Sequence, residues 1–570
     1  MAFPLLTFIR GSYVNSLSRP RFHFGAPLLI ASRHISTMAR TYESALAHLD
    51  SIQSNQAITS LFAPPAPSTA TTTTSSSPSG PGSSPAKDLN ALAIPEMLSW
   101  LERAGLTQHD LERLNCIHVA GTKGKGSVCA YLTSILTQHG MAPAAGRVGT
   151  YTSPHLVSVR ERIQLDGRPI SRALFARYFF EVWDALTDAA RAEAARSGAD
   201  VSAADLEGPA TKPFYFRFLT IMAFHTFLQE GVRSVVIECG IGGEYDSTNV
   251  LPPEAVTASV ISQLGIDHVG MLGGTRPEIA WMKAGVCKPG RKCFTRKLVG
   301  GDGEETMRVL RQRAAEKQAI LVEVEDREVE GWGGVQGTET DSLEGEFQKY
   351  NQALALKAAG EHLRVLNGAP DTQPGGEDLT VLARRFYNGL RWARLKGRCE
   401  TKRDGDVTWF IDGAHTAESL EETAKWFAEK RKTLASKARV VLLFNQQERD
   451  VAKLLRSLHD GIRRESRITT DMIFDRAIFT RNDLHRKTVD EPERDLVVQQ
   501  AAANAMLELC PKTKTTIVDN VSEAVENIKA MAYDEDIKVA VLATGSLHLV
   551  GAVLRTFQPE EVGNYDNLDA

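Results

Sequence analysis

Paired cysteines, long apolar runs and a dominant charge are all missing from this 570-residue chain. The seven cysteines, at 116, 129, 239, 287, 293, 399 and 510, are odd in number and scattered, with no C-x-x-C pair. That excludes a disulfide framework and a zinc knuckle and fits a reducing compartment. No apolar stretch reaches the roughly 20 residues of a membrane span; the nearest candidate, residues 214–228, is interrupted by Arg217 and His225 and reads as a buried helix. A net charge of −4 offers no basic face to a phosphate backbone, so no nucleic-acid partner is expected. Acidic residues are absent before Glu43, whereas Arg10, Arg19, Arg21, Arg33 and Arg40 fall in that same stretch. This is the composition of a mitochondrial transit peptide over residues 1–42, with a plain N-terminal tail as the alternative. Met38 offers a second start just ahead of Tyr42, Leu46, Leu49 and Ile52, which share one helix face.

What is present is enough apolar residue, 42%, for two or more cored domains. Residues 64–86, with a threonine and serine run, cannot bury enough apolar area to offset their ordering entropy and are expected to form a disordered insertion. From Leu89 onward, short apolar runs alternate with helical stretches: strands at 117–120, 234–239 and 256–262, helices at 128–139 and 278–286. Such alternation predicts an α/β fold with a mostly parallel sheet covered on both faces. The polar stretches 189–212 and 326–346 read as surface insertions. After the glycine- and proline-rich residues 368–376 the alternation resumes, with strands expected at 407–411, 440–444, 472–479, 515–518 and 539–543. The expected domains are therefore 43–395 and 396–570, divided near Lys396.

The apolar run Cys116-Ile117-His118-Val119-Ala120 stops in Gly121-Thr122-Lys123-Gly124-Lys125-Gly126-Ser127 and then continues as a helical pattern. Strand, glycine turn and helix start make an anion site: backbone N–H groups turn inward, Lys125 adds a mobile charge, and the helix dipole points the same way. The spacing departs from the strict Walker A pattern, because Val119 stands where the first glycine belongs and Gly126 separates Lys125 from Ser127. A nucleoside triphosphate fits this loop; a glycine-rich turn with a surface lysine is the plainer alternative.

Glu238 ends a second apolar run and precedes Gly240-Ile241-Gly242-Gly243. A buried carboxylate is costly unless a charge meets it. It reads either as a magnesium ligand facing phosphates or as an acid capping the next turn. Asp267 and His268 follow another apolar strand, where ligands gather in parallel sheets; a structural role suits His268 equally. Lys283 lies in an apolar helical pattern, either paired or snorkelling to water. Thr152-Ser153-Pro154-His155-Leu156 places a hydroxyl on a loop or simply marks a turn, and Arg160-Glu161-Arg162 follows. Farther on, Arg398 precedes Asp412-Gly413-Ala414-His415, where Asp412 can cap a helix or hold a ribose hydroxyl.

Together with Leu264-Gly265-Ile266-Asp267-His268, Lys283-Ala284-Gly285, Thr416 and Thr544-Gly545-Ser546-Leu547-His548-Leu549-Val550-Gly551, these segments resemble the Mur ligase superfamily, and within it the eukaryotic folylpolyglutamate synthase family. The resemblance implies an α/β architecture: a P-loop-containing Mur ligase-like ATP-binding domain followed by a smaller Rossmann-like domain. It implies that Thr122, Lys123, Gly124, Lys125, Gly126 and Ser127 hold the ATP phosphates and that Ser153, Glu238 and His268 coordinate Mg2+. Arg398, Asp412 and His415 would reach the phosphates and ribose from the second domain. Lys125, Glu238, His268 and Lys283 form the implied catalytic set, and Lys283 matches a lysine that some relatives carry as a carbamate. Residues 145–151 depart from the family run and leave the folate loop open.

The implied reaction joins L-glutamate to the γ-carboxylate of a reduced folate, driven by ATP through an acyl phosphate, with K+ as activating monovalent cation. The implied enzyme is a monomer without a transmembrane segment. It is expected in mitochondria, peripherally associated with the inner membrane, and in the cytoplasm through Met38. Two alternatives stand: a dihydrofolate synthase, which shares every ATP motif but adds glutamate to a pteroate, and a P-loop phosphotransferase or nucleotide switch, which needs no second ATP-gripping domain.

Overall fold

In the computed structural model the described residues are 40–52, 85–138, 140–337, 343–371, 375, 377–435, 438–447, 450–466, 472–534 and 537–557. The expected transit segment up to residue 39 and the expected insertion up to residue 84 lie outside them, and Pro85 already opens the helix Pro85–Arg103. The first sheet contains β1 (Cys116–Ala120), β2 (Val148–Tyr151), β3 (Ile163–Leu165), β4 (Arg168–Pro169), β5 (Ser234–Glu238), β6 (Val256–Ile261), β7 (Lys292–Arg296) and β8 (Ile320–Val324). Their order is β4-β3-β2-β5-β1-β6-β7-β8, parallel from β2 to β8, with β3 and β4 attached antiparallel at one edge.

Side chains alternate across a strand, so a strand covered on both sides is apolar throughout. On β5, Val235 and Ile237 enter the cluster shared with the helices Arg172–Ser197 and Tyr215–Gln229, while Val236 enters the opposite cluster with Lys125–Leu136 and Gln348–Leu366. The second sheet repeats this plan with β9 (Glu400–Asp404), β10 (Val407–Ile411), β11 (Arg439–Phe444), β12 (Arg476–Phe479), β13 (Lys514–Ile517) and β14 (Val539–Thr544). Its order is β13-β12-β11-β14-β10-β9, parallel except for β9. Trp409 and Ile411 face one cluster and Phe410 the other. From Arg40 onward the chain is one compact unit.

Three expectations change. The stretch 189–212 is not a plain surface insertion: its first nine residues prolong the helix Arg172–Ser197, which ends at Gly198 with φ 67°. Alanine is the best helix former, and five alanines sit in that segment's first seven positions. The stretch 326–346 opens with the helix Asp326–Trp332 and then ties the sheets together, since Glu344 accepts from Trp426 Nε1 at 2.6 Å and pairs with Lys430. The strand expected over 472–479 is only Arg476–Phe479, and β9 had no apolar signal because it is a polar edge strand.

Candidate active site

The glycine loop leaves β1 and enters the helix Lys125–Leu136, whose N-cap is Gly124 in the left-handed region at φ 81°. A Cβ at Gly124 would stand 2.4 Å from Asn351 Oδ1, so both space and backbone demand glycine there. The loop is pinned to the segment after β6: Thr122 and Lys123 N–H groups donate to Gln263 O, and Ser262 Oγ donates to Lys123 O at 2.6 Å. Thr122 Oγ1 donates to Gly265 O at 3.0 Å. Lys123 pairs with Glu418, in the first turn of the helix Ala417–Arg431 beside the second sheet. Ser127 is buried in the first turn of its helix.

Two lysine side chains share one carbonyl. Lys125 Nζ donates to Gly121 O at 3.2 Å, and Lys283 Nζ donates to the same oxygen at 2.8 Å. Lys283 is only 3% exposed, and burial, then the neighbouring Lys125, lower its pKa to about 7. Snorkelling is thereby ruled out for Lys283. Glu238 ends β5 with its carboxylate over the first turn of Lys125–Leu136, where a Cβ at Gly126 would lie 3.8 Å from Oε2. Burial raises its pKa; Lys125, the Ser153 N–H at 3.1 Å, Arg398 and Arg162 act the other way. Ser153 and Glu238 are thus brought together. His268 is exposed after β6, in the left-handed region at φ 49°, with its N–H on Asp267 Oδ1. Among the described residues no three His, Cys, Asp or Glu side chains form a metal cage.

From just ahead of the second sheet, the Arg398 charge acts on the Glu238 carboxylate, and Gly413 makes room for its side chain: a Cβ there would be 2.7 Å from Arg398 Nη1. Asp412 behaves differently. Its Oδ2 accepts Cys399 N–H at 2.8 Å, and its Oδ1 accepts Ala414 N–H at 2.9 Å and Thr423 Oγ1 at 2.8 Å. The carboxylate expected at the ribose is turned inward, holding the turn that carries Arg398. His415 packs its Nδ1 against Gly413 O at 3.0 Å. Sequence reasoning missed Glu418, Asn351 and Thr423, which reach the site through tertiary packing alone. It also missed that Arg162 Nε donates to His155 Nδ1 at 2.9 Å, where burial, then Arg162, lower the imidazole to about 3 and keep it neutral.

Hard oxygen donors beside a cluster of cations suit a magnesium nucleotide. Glu238 supplies a buried carboxylate on which the charges of Lys125, Arg398 and Arg162 act, and the glycine loop supplies a helix start. Comparison with known proteins agrees with this chemistry. Residues 395–556 match the family model described as dihydrofolate synthetase, C-terminal domain. A folylpolyglutamate synthase of Saccharomyces cerevisiae (strain FostersO) is 35% identical over 547 residues, covering 94% of this chain and 90% of that protein. The Mycobacterium tuberculosis folylpolyglutamate synthase solved with ADP superposes with a TM-score of 0.56 at 25% identity, over 82% of this chain and 94% of that one. The apo form of L. casei FPGS shares the fold, with a TM-score of 0.58 at 21% identity over 91% of this chain and 99% of that one. The chain belongs to the folylpolyglutamate synthase family.

Proposed function

We propose that this chain adds L-glutamate to the γ-carboxylate of a reduced folate's terminal glutamate, cleaving ATP to ADP and phosphate. The observation that carries the reading is the buried Glu238 carboxylate over the first turn of the glycine-loop helix, on which the charges of Lys125 from the first half and Arg398 from the second both act. A carboxylate resists attack by an amine. Attack of a folate γ-carboxylate oxygen on the γ-phosphorus expels ADP and gives an acyl phosphate. The glutamate amine then attacks the acyl carbon, phosphate leaves, and the nitrogen loses its proton. Lys125 and Arg398 neutralise the charge that spreads over the transferred phosphoryl group, and closure of the two halves over the substrates would keep water from the acyl phosphate.

Residues 122–127 would cradle the phosphates, since they form the glycine turn at a helix start; the M. tuberculosis neighbour, solved with ADP, supports an adenine nucleotide as the ligand. Glu238, with Ser153 and His268, would hold Mg2+, which when bound withdraws charge from phosphate oxygens. Lys283, near pH 7 in large part a neutral amine, is in the form that adds carbon dioxide to give a carbamate. Asp412 is assigned to Arg398 and its turn rather than to the ribose. K+ activation, a monomeric enzyme, peripheral association with the mitochondrial inner membrane and the domain division near Lys396 belong to the same reading. No helix among the described residues is long and apolar enough to cross a membrane. Folate whose γ-carboxylate carries 18O should deliver one 18O to inorganic phosphate; phosphate free of the label would contradict the acyl phosphate.

The arginines before Glu43 and the absence of acid there support a mitochondrial product from Met1 and a cytoplasmic one from Met38. Mutating Met1 should remove the mitochondrial pool, and mutating Met38 the cytoplasmic one, as read by fractionation. A Met1 variant that still fills mitochondria would assign residues 1–37 to a tail.

A further inference from the structure

Leu156 leaves the first sheet shortly after β2 ends at Tyr151, yet its side chain lies in the other half of the molecule. It is 9% exposed and belongs to the apolar cluster on one face of the second sheet, with Trp409, Ile411, Val541 and Val550. The second half is cut to admit it. At Gly551, inside the helix Leu547–Phe557, a Cβ would stand 2.4 Å from the Leu156 carbonyl oxygen. At Gly397, a Cβ would be 2.8 Å from Leu156 Cδ1. Glycine weakens a helix interior, and the close approach of another backbone is the reason it is needed at Gly551.

On its own side the loop is equally constrained. The Glu161 carboxylate accepts the N–H groups of Leu156 at 2.8 Å, Val157 at 3.1 Å and Ser158 at 3.0 Å. The Tyr42 hydroxyl meets Ser158 Oγ at 3.3 Å. Three residues before Leu156, the Ser153 N–H donates to Glu238 Oε2 at 3.1 Å. The loop is therefore a short braced link, with one end on the buried carboxylate and the other plugged into the second sheet.

We propose that Leu156 is a positioning residue: seated in the second sheet's cluster, it sets the Ser153 N–H against Glu238, so that the carboxylate is correctly presented to a magnesium nucleotide only when the two halves are docked. This rests on the reading of Glu238 as the acid that faces the metal and the phosphates. The link transmits position because both of its ends are held by packing or hydrogen bonds that a displacement of one half would have to break.

The test uses the full-length protein and four readouts: melting temperature, affinity for ADP with and without Mg2+, hydrogen exchange of residues 152–158, and the split between kcat and KM for ATP. Leu156→Ala should reduce the Mg2+-dependent part of ADP affinity on the order of 10- to 100-fold, the usual cost of losing support behind a metal ligand. Exchange over 152–158 should rise. Leu156→Met should restore most of the affinity, and Leu156→Val serves where the alanine variant does not fold. Gly551→Ala should reproduce the loss from the opposite half. Val525→Ala, in the same cluster but on the helix Val521–Asp534, should lower the melting temperature and leave Mg2+ dependence unchanged. The proposal is overturned if the Leu156 and Gly551 variants behave as Val525→Ala does while Glu238→Gln abolishes Mg2+ dependence. A Glu238→Gln protein with normal Mg2+ dependence overturns the site reading itself, and the role of Leu156 with it.

Discussion

Glu238 and Asp412 hold corresponding places, one at the end of β5 in the first sheet and one just past β10 in the second, and both are buried. Asp412 accepts hydrogen bonds from Cys399, Ala414 and Thr423, all in its own half. Glu238 accepts one among the described residues, from Ser153, while Lys125, Arg398 and Arg162 act on it through their charge. A carboxylate whose lone pairs are filled by fixed donors is a bracket. One with lone pairs to spare and cations around it retains capacity for a ligand, and its burial is offset only when that ligand arrives. Position at the end of a parallel strand is shared by both acids, so on the proposed reading donor saturation is what distinguishes the bracket from the ligand.

The sharpest way to break that comparison is to neutralise each acid. Glu238→Gln should lower kcat on the order of 10²–10³-fold, as loss of a charge-organising group does, and should not destabilise the fold. The sign follows from the raised pKa: the folded carboxyl holds its proton above the ordinary value of 4.5, so stability falls as pH rises from there through the folded value. The Gln variant lacks that fall, and melts at neutral pH should show it equal to or above the parent. Lys125→Ala should likewise abolish turnover with little change in melting, since the side chain is half-buried and its one hydrogen bond among the described residues goes to Gly121 O.

Asp412→Ala should do the opposite to stability, costing about 3 kcal/mol because buried N–H groups and a hydroxyl lose their acceptor. Its kinetic loss should not add to that of Arg398→Ala, as residues in one network rarely do. Discrimination between ATP and 2′-deoxy-ATP should survive; its disappearance would return Asp412 to the ribose. The last contrast concerns Lys283. Its folded value near 7, against 10.5 unfolded, means that stability rises with pH across that interval, by up to about 1.4 kcal/mol per unit. Lys283→Met should flatten that rise in melts run from pH 7 to 10. Lys283→Arg keeps a charge but forms no carbamate, so full activity in that variant would leave the lysine a purely electrostatic part.

The parts legible in the sequence are those with local signals. β1 and its glycine turn announce themselves within a dozen residues, and Glu238 stands out as an acid closing an apolar run. The two covered parallel sheets follow from alternation, because each strand must be apolar on both faces. Asp412 was legible only as a choice between cap and ribose ligand, since its donors Cys399 and Thr423 are set by tertiary packing. Leu156 was legible only as the last residue of the motif 152–156, with nothing to show its seat: a single leucine in a loop has no periodicity, and the pocket that receives it is built from residues 397 to 551. Glu418, beside Lys123, was hidden for the same reason.

The most direct measurement is incorporation of labelled L-glutamate by the purified chain, with tetrahydrofolate and dihydropteroate in parallel reactions, with and without ATP, and with Glu238→Gln alongside. The account predicts label in the tetrahydrofolate product only when ATP is present, one ADP formed per glutamate added, and none of this in the Glu238→Gln protein. Label joined only to dihydropteroate, incorporation without ATP, or a fully active Glu238→Gln enzyme would contradict it.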